Sequence, residues 1–134
     1  MDLGVQDVSG EDRLRIVGVS HYQAALADAA GGKRPGGVEV RTRVGLVPEP
    51  DNPHDANAIA VRLDDGGGER VGYLPREEAA RYRRLMDAVA ARGRRPVCEG
   101  VILGGDATRD TMFVVWLHVQ DPYEALADDP PPPP

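Results

Sequence analysis

The chain has 134 residues and a formal net charge of -6, enough length for one domain with short ends. Apolar residues make up 41%, and no apolar stretch approaches the roughly 20 residues of a membrane-spanning helix. One cysteine, Cys98, excludes a disulfide framework and a cysteine-based zinc finger, and an acidic start without an apolar run excludes a secretory signal, so a soluble, cytoplasmic protein is expected.

Residues 1–12 carry Asp2, Asp7, Glu11 and Asp12 without any Lys or Arg, and are expected to be a disordered acidic arm. The domain is expected over 13–120. Its first strand is the short, β-branched run 14–19. The Gly-rich stretch 31–37 precedes a strand and carries neither G-x-G-x-x-G nor a Walker pattern, so it reads as a connection and not a phosphate cradle. Val38, Val40, Thr42, Val44 and Leu46 then alternate with Glu39, Arg41, Arg43 and Gly45, the period of a half-buried strand. Residues 58–63 and 70–74 form a hairpin around the turn 64–68.

One helix follows. Pro75 suits its first turn, Glu77 and Glu78 suit its positive end, and Ala79, Tyr82, Leu85 or Met86, and Val89 recur at helical spacing until Gly93 stops it. Strands at 97–103 and 112–119 flank the loop 104–106, with Phe113 and Trp116 read as core or barrel-face residues and Cys98 as packing. Asp121, Glu124, Asp128, Asp129 and the prolines at 130–134 make 121–134 an expected acidic, polyproline disordered tail.

Six short strands with one α-helix between the fourth and fifth predict a mainly β protein, a small OB-like β-barrel. A β-sandwich is the alternative. A parallel α/β sheet lacks the helical crossovers it needs.

The charge is unevenly spread. With the four acids of each end set aside, 14 acids face 16 bases in 13–120, a net +2. Eight arginines lie between Arg70 and Arg95, several on the predicted helix. The densest polar string is Glu49-Pro50-Asp51-Asn52-Pro53-His54-Asp55-Ala56-Asn57. Its prolines fix φ and its Asx side chains can cap backbone N–H groups, so it reads first as a rigid turn. A turn does not require His54, however, and polar groups on a stiffened loop are pre-organised for recognition.

Residues 16–22 (Ile-Val-Gly-Val-Ser-His-Tyr), 44–47, the string 49–61 and the run 71–77 (Val-Gly-Tyr-Leu-Pro-Arg-Glu) closely resemble the HIRAN domain family, in its order and spacing from about 14 to 119. The resemblance implies a modified OB-like barrel. It also implies a non-catalytic module that grips the 3′ end of single-stranded DNA beside repair or replication machinery, alone or with a DNA-processing protein. Carried over by residue, His21 (next to Tyr22) and His54 would stack on the terminal base. Asp55 would meet the terminal sugar hydroxyl, Asn52 and Tyr73 would hold the nucleotide, and Arg76 would meet phosphate. Loop and helix tip would together form a small cationic slot. Ser20 and His21 stand where eukaryotic members carry Arg and Tyr.

No cofactor or metal is expected. An alternative is a protein- or peptide-interaction module that uses the barrel as scaffold and the tails as bait. A metal-dependent hydrolase would recruit His21, His54, Asp55 and His118, but no H-x-x-x-H or H-E-x-x-H spacing supports it.

Overall fold

A computed structural model describes residues 2–127. Its elements are β1 (Val5–Asp7), β2 (Asp12–Arg15), α1 (Gln23–Ala30), β3 (Val38–Pro48), β4 (Ile59–Leu63), β5 (Arg70–Tyr73), α2 (Arg76–Ala91), β6 (Arg95–Gly104), β7 (Phe113–Val119) and α3 (Pro122–Ala127). The sheet runs β2-β7-β6-β3-β4-β5, with β1 added against β6. The fold is mainly β and OB-like, as expected.

The eleven-residue β3 is the spine. Its first part pairs antiparallel with β6, from Val38 opposite Gly104 to Gly45 opposite Val97. Its last part pairs with β4, from Val44 opposite Leu63 to Pro48 opposite Ile59. Overlap of the two ladders at Val44 and Gly45 curls the sheet. The curl is closed by the chain just after β2: Val17 N–H donates to the Tyr73 carbonyl and Tyr73 N–H to the Val17 carbonyl, each at 3.0 Å. Gly72 sits at this seam because a Cβ there would lie 2.4 Å from Ile16 Cγ2 and 2.7 Å from the Val17 carbonyl oxygen. Closure leaves few free strand edges.

Inside the curl lie Ile16, Val44, Leu46, Ile59, Val61, Ile102 and Leu117, all essentially buried. Helix α2 covers one end through Ala79, Tyr82, Leu85, Met86 and Val89, the face its spacing predicts. Cys98 belongs to this core, and burial pushes its thiol up to about 12, which makes it a packing residue and a poor nucleophile.

Several expectations are corrected. The arm 1–12 is not solvated throughout: β1 pairs in parallel with β6, Val5 opposite Arg95, and Val8 is fully buried. Val8 docks the segment together with backbone bonds from the Val8 N–H to the Val97 carbonyl (2.7 Å) and from the Arg95 N–H to the Gly4 carbonyl (3.0 Å), and Asp2 pairs with Arg95 at 3.1 Å. The strand expected at 14–19 ends at Arg15. Gly18, at φ +77°, turns the chain into a 3₁₀ turn at Val19–His21 and then into the unexpected α1. The expected helix is accompanied by a third, α3, so 122–127 is ordered; Asp128, Asp129 and the proline run lie outside the described residues. No helix among the described residues is long and apolar enough to cross a membrane.

Candidate functional site

The loop between β3 and β4 is held from within. Asn52 Oδ1 accepts from the His54 N–H (2.9 Å) and the Asp55 N–H (3.2 Å), while Asp55 Oδ1 accepts from the Asn57 N–H at 2.9 Å. These are the Asx turns that the string predicts. Its two ends are clamped by the Glu49 N–H, which donates to the Ala58 carbonyl at 2.8 Å.

A polar network then ties the loop to β5. Glu49 Oε1 accepts from Asn52 Nδ2 (3.1 Å) and from the Tyr73 hydroxyl (2.9 Å), and Glu49 Oε2 accepts from Arg70 Nη1 at 2.9 Å. Arg70 also donates to the Tyr73 oxygen at 2.6 Å, and its guanidinium lies 5.6 Å from the Tyr22 ring centre and 5.4 Å from that of Tyr73. Arg70 is therefore a pillar between two tyrosines. Burial alone would push the Glu49 carboxyl up, but hydrogen bonds from Asn52, Tyr73 and Arg70 together bring it below the ordinary range. Burial first, and then the Glu49 carboxylate, push the Tyr73 hydroxyl up to about 12.

The helix tip completes the arrangement. Arg76 Nε stands 3.9 Å from Asp55 Oδ2, and Arg83 Nη1 donates to the Ala56 carbonyl at 3.2 Å, so α2 holds the far side of the loop. Arg76 remains 81% exposed at its side chain against 20% for Asp55, which leaves it free to swing toward a ligand. His54 is exposed at the loop crest. His21 is exposed at the end of the 3₁₀ turn, edge-on to Tyr22 at 6.4 Å. Among the described residues no ring contact joins the two histidines.

Thus Asn52, Asp55, Tyr73 and Arg76 are joined by one chain of contacts, with Tyr22 tied in through Arg70 and His54 through its backbone. His21 reaches this set only by way of Tyr22. Glu49 and Arg70, the centre of the network, were not among the expected site residues. Glu49 heads the turn string and so carried some signal. Arg70 carried none, because it lies three positions from Tyr73, which puts the two on opposite sides of a regular strand. The two share a side since Val61 pairs with Gly72 and Arg62 with Arg70, which leaves Val71 as a bulged extra residue.

The expected cationic slot is corrected as well. Arg70 is neutralised by Glu49, and Asp55 offsets Arg76, so the slot is close to charge-balanced. On α2, Arg81 faces Glu78 (3.4 Å) and Asp121 (3.7 Å), while Arg83 faces Asp87 at 3.8 Å. The arginine-rich helix is partly neutralised by its own acids and by the start of the acidic tail. For the hydrolase alternative, no group of three or more His, Cys, Asp or Glu among the described residues is arranged to hold a metal ion. His118 lies on β7 opposite Glu99, on a different face from the loop.

A family model described as the HIRAN domain matches residues 9–120. Mouse helicase-like transcription factor is 33% identical over 103 residues, which cover 77% of this chain but 8% of that protein. The crystal structure of the HIRAN domain of human HLTF is 26% identical, covers 90% of this chain and 87% of that one, and has a TM-score of 0.49. The NMR structure of the HLTF HIRAN domain in its DNA-bound conformation is 27% identical, covers 90% and 85% of the two chains, and has a TM-score of 0.45.

Proposed function

The chain belongs to the HIRAN domain family, and we propose that it is a non-catalytic nucleic-acid-binding module that takes the 3′ end of single-stranded DNA. In this reading it works in the cytoplasm beside a DNA-processing partner of repair or replication. One observation carries it: an Asx-turned prolyl loop, braced by Glu49, Arg70 and Tyr73, presents His54 and Asp55 next to the N-terminus of a sixteen-residue helix that bears Arg76.

Each part has a chemical task. The Asp55 carboxylate accepts a hydrogen bond from a terminal 3′ hydroxyl, which a 3′ phosphate would replace with repulsion. Arg76 leaves its long contact to Asp55 and forks onto the penultimate phosphate, where the free N–H groups of the helix end add partial positive charge. His54 and His21 offer planar faces to the terminal base. A slot so nearly charge-balanced makes few phosphate contacts, so affinity depends on fit at the end of the strand.

Fluorescence-anisotropy titration with 3′-hydroxyl, 3′-phosphate and blunt duplex oligonucleotides at two salt concentrations tests this. A preference for the 3′-hydroxyl strand, with a log–log salt slope of about -0.7 to -1.4 for one or two contacts, supports it. Equal binding of the two single strands removes end recognition.

A further inference from the structure

A second surface lies outside the barrel, across β3, β6, β7 and β2. The registers set three side chains in one cross-strand row, Val101 opposite Trp116 and Trp116 opposite Arg15. The next row sets Glu99 opposite His118 and His118 opposite Arg13. Arg13, Arg41, Glu99 and His118 line a groove of about 350 Å³, floored by the half-buried indole of Trp116 and the aliphatic Val101 and Leu103, and Arg15 flanks it as the cross-strand neighbour of Trp116.

The groove's charges are unevenly used. Among the described residues Arg41 makes only a long contact to Glu99 (3.9 Å), and Arg43 is held by Asp65 at 3.1 Å. Glu39 is the other acid at the rim. Arg13 and Arg15 are exposed and engage no acid among the described residues. Against the chain's net charge of -6 and the acids Glu39 and Glu99 at the rim, the sheet-borne indole beside Arg13 and Arg15 is a local match for an anionic polymer that carries flat apolar groups. The groove also leads to the loop slot. Arg15 lines the adjoining cleft together with Gly18, Ser20 and Pro75, the neighbours of His21 and Arg76.

We propose that this face is a second contact surface for single-stranded nucleic acid, with a base against Trp116 and phosphates on Arg13 and Arg15. It rests on the 3′-end reading: a strand whose last nucleotide fills the slot continues past Ser20 and over β2 to the indole. The slot then selects the end, and the outer face supplies affinity that grows with strand length.

Trp116 is the only tryptophan, so its emission reports on this face alone. The full chain is titrated against 5′-fluorescein-labelled oligo-dT of three and twelve nucleotides, each with a 3′ hydroxyl or a 3′ phosphate, with affinity read by anisotropy and Trp116 quenching followed in parallel with unlabelled strands. A synthetic peptide of residues 121–134 serves as the competing class of ligand. The expected result is that dT12 quenches Trp116, binds about tenfold tighter than dT3, and shows a salt slope steeper by about 1.4 for two added phosphate contacts. The double substitution Arg13→Ser, Arg15→Ser, at exposed positions, should abolish the length effect and leave dT3 binding unchanged. Arg76→Ala should instead weaken both strands by the same factor. Trp116→Phe should lower dT12 affinity less than the double substitution does.

The proposal is overturned if dT12 binds no tighter than dT3, if Trp116 emission is unchanged at saturation, or if the peptide quenches it and dT12 does not. If 3′-phosphate dT12 quenches Trp116 as strongly as the hydroxyl form, the outer face stands and the end-selective slot falls. If neither dT12 strand binds, both fall.

Discussion

The two walls that flank the candidate slot are built in opposite ways. One, the loop from Glu49 to Ala58, is rich in polar residues and largely exposed at its crest, and its shape comes from hydrogen bonds that converge on two half-buried side chains, Glu49 and Asn52. The other, from Ile16 to Ala30, is held by burial of Ile16, Val19, Leu26 and Ala30. Among the described residues its one side-chain hydrogen-bonding anchor is Gln23, which donates to the Val19 and Phe113 carbonyls at 2.9 and 3.0 Å and accepts from the Phe113 N–H at 2.8 Å. A wall of hydrogen bonds is precise but answers to protonation; a wall of packed methyl groups does not. Pairing the two places a responsive surface against a fixed one.

The largest expected effect lies where the walls meet. Gly72→Ala would drive a Cβ into Ile16 and the Val17 carbonyl, and backbone cannot move aside as a side-chain tip can. A loss of about 3 kcal/mol or more is expected in urea unfolding. An unchanged midpoint would mean that the seam is not what joins the walls. Next comes Glu49→Ala, which strips the acceptor from Arg70, Tyr73 and Asn52 at once. Because the Arg70 and Glu49 side chains keep 35% and 21% exposure, solvent screens the loss, to about 1–2 kcal/mol. The His54 and Asp55 amides should then exchange faster while those of α1 do not. Adding Arg70→Ala should cost less than the sum of the single changes. Gln23→Ala should cost about 1 kcal/mol and speed exchange at Phe113, yet leave the loop amides protected.

The sequence made these two walls unequally visible. Alternation in β3, the hairpin of β4 and β5, and the buried face of α2 follow from local periodicity, and the Asx turns follow from the spacing of Asn52, Asp55 and Asn57. Helix α1 is different: Gln-Ala-Ala-Leu-Ala-Asp-Ala-Ala has no capping side chain and only two buried residues, Leu26 and Ala30, so no amphipathic stripe announces it. Its partner surface belongs to β5 and β7, far along the chain. Strand β1 was hidden for a related reason, since its ladder is made with residues about ninety positions away. The joining of Arg70 to Tyr73 depends on a bulge that reverses the two-residue period. Charge was the other blind spot. Counting arginines shows where bases are, whereas the pairing of Arg70, Arg81 and Arg83 with acids is a matter of three-dimensional placement.

Protonation should separate the walls by the smallest and most specific effect. Glu49 is held below its ordinary value of 4.5. Its contribution to stability is therefore complete above that value and is lost as the pH falls toward the lower folded-state value. Tyr73 moves the other way, from 10.0 to about 12, so the neutral hydroxyl favours the fold fully below 10.0 and ever less as the pH climbs toward 12. The polar wall thus has a window between these limits, and amide exchange at His54 and Asp55 should rise at both margins while α1 stays protected. The near-ultraviolet absorbance of phenolate tests the alkaline side directly. Tyr82, inside the core, is likewise pushed up to about 12 by burial, so a late phase of two phenols is expected. Tyr73→Phe should reduce that phase to one phenol and remove the alkaline loosening of the loop. A late phase of the same size in the variant would mean that the Tyr73 hydroxyl is not bound to Glu49 in solution, and the polar wall would lose its brace.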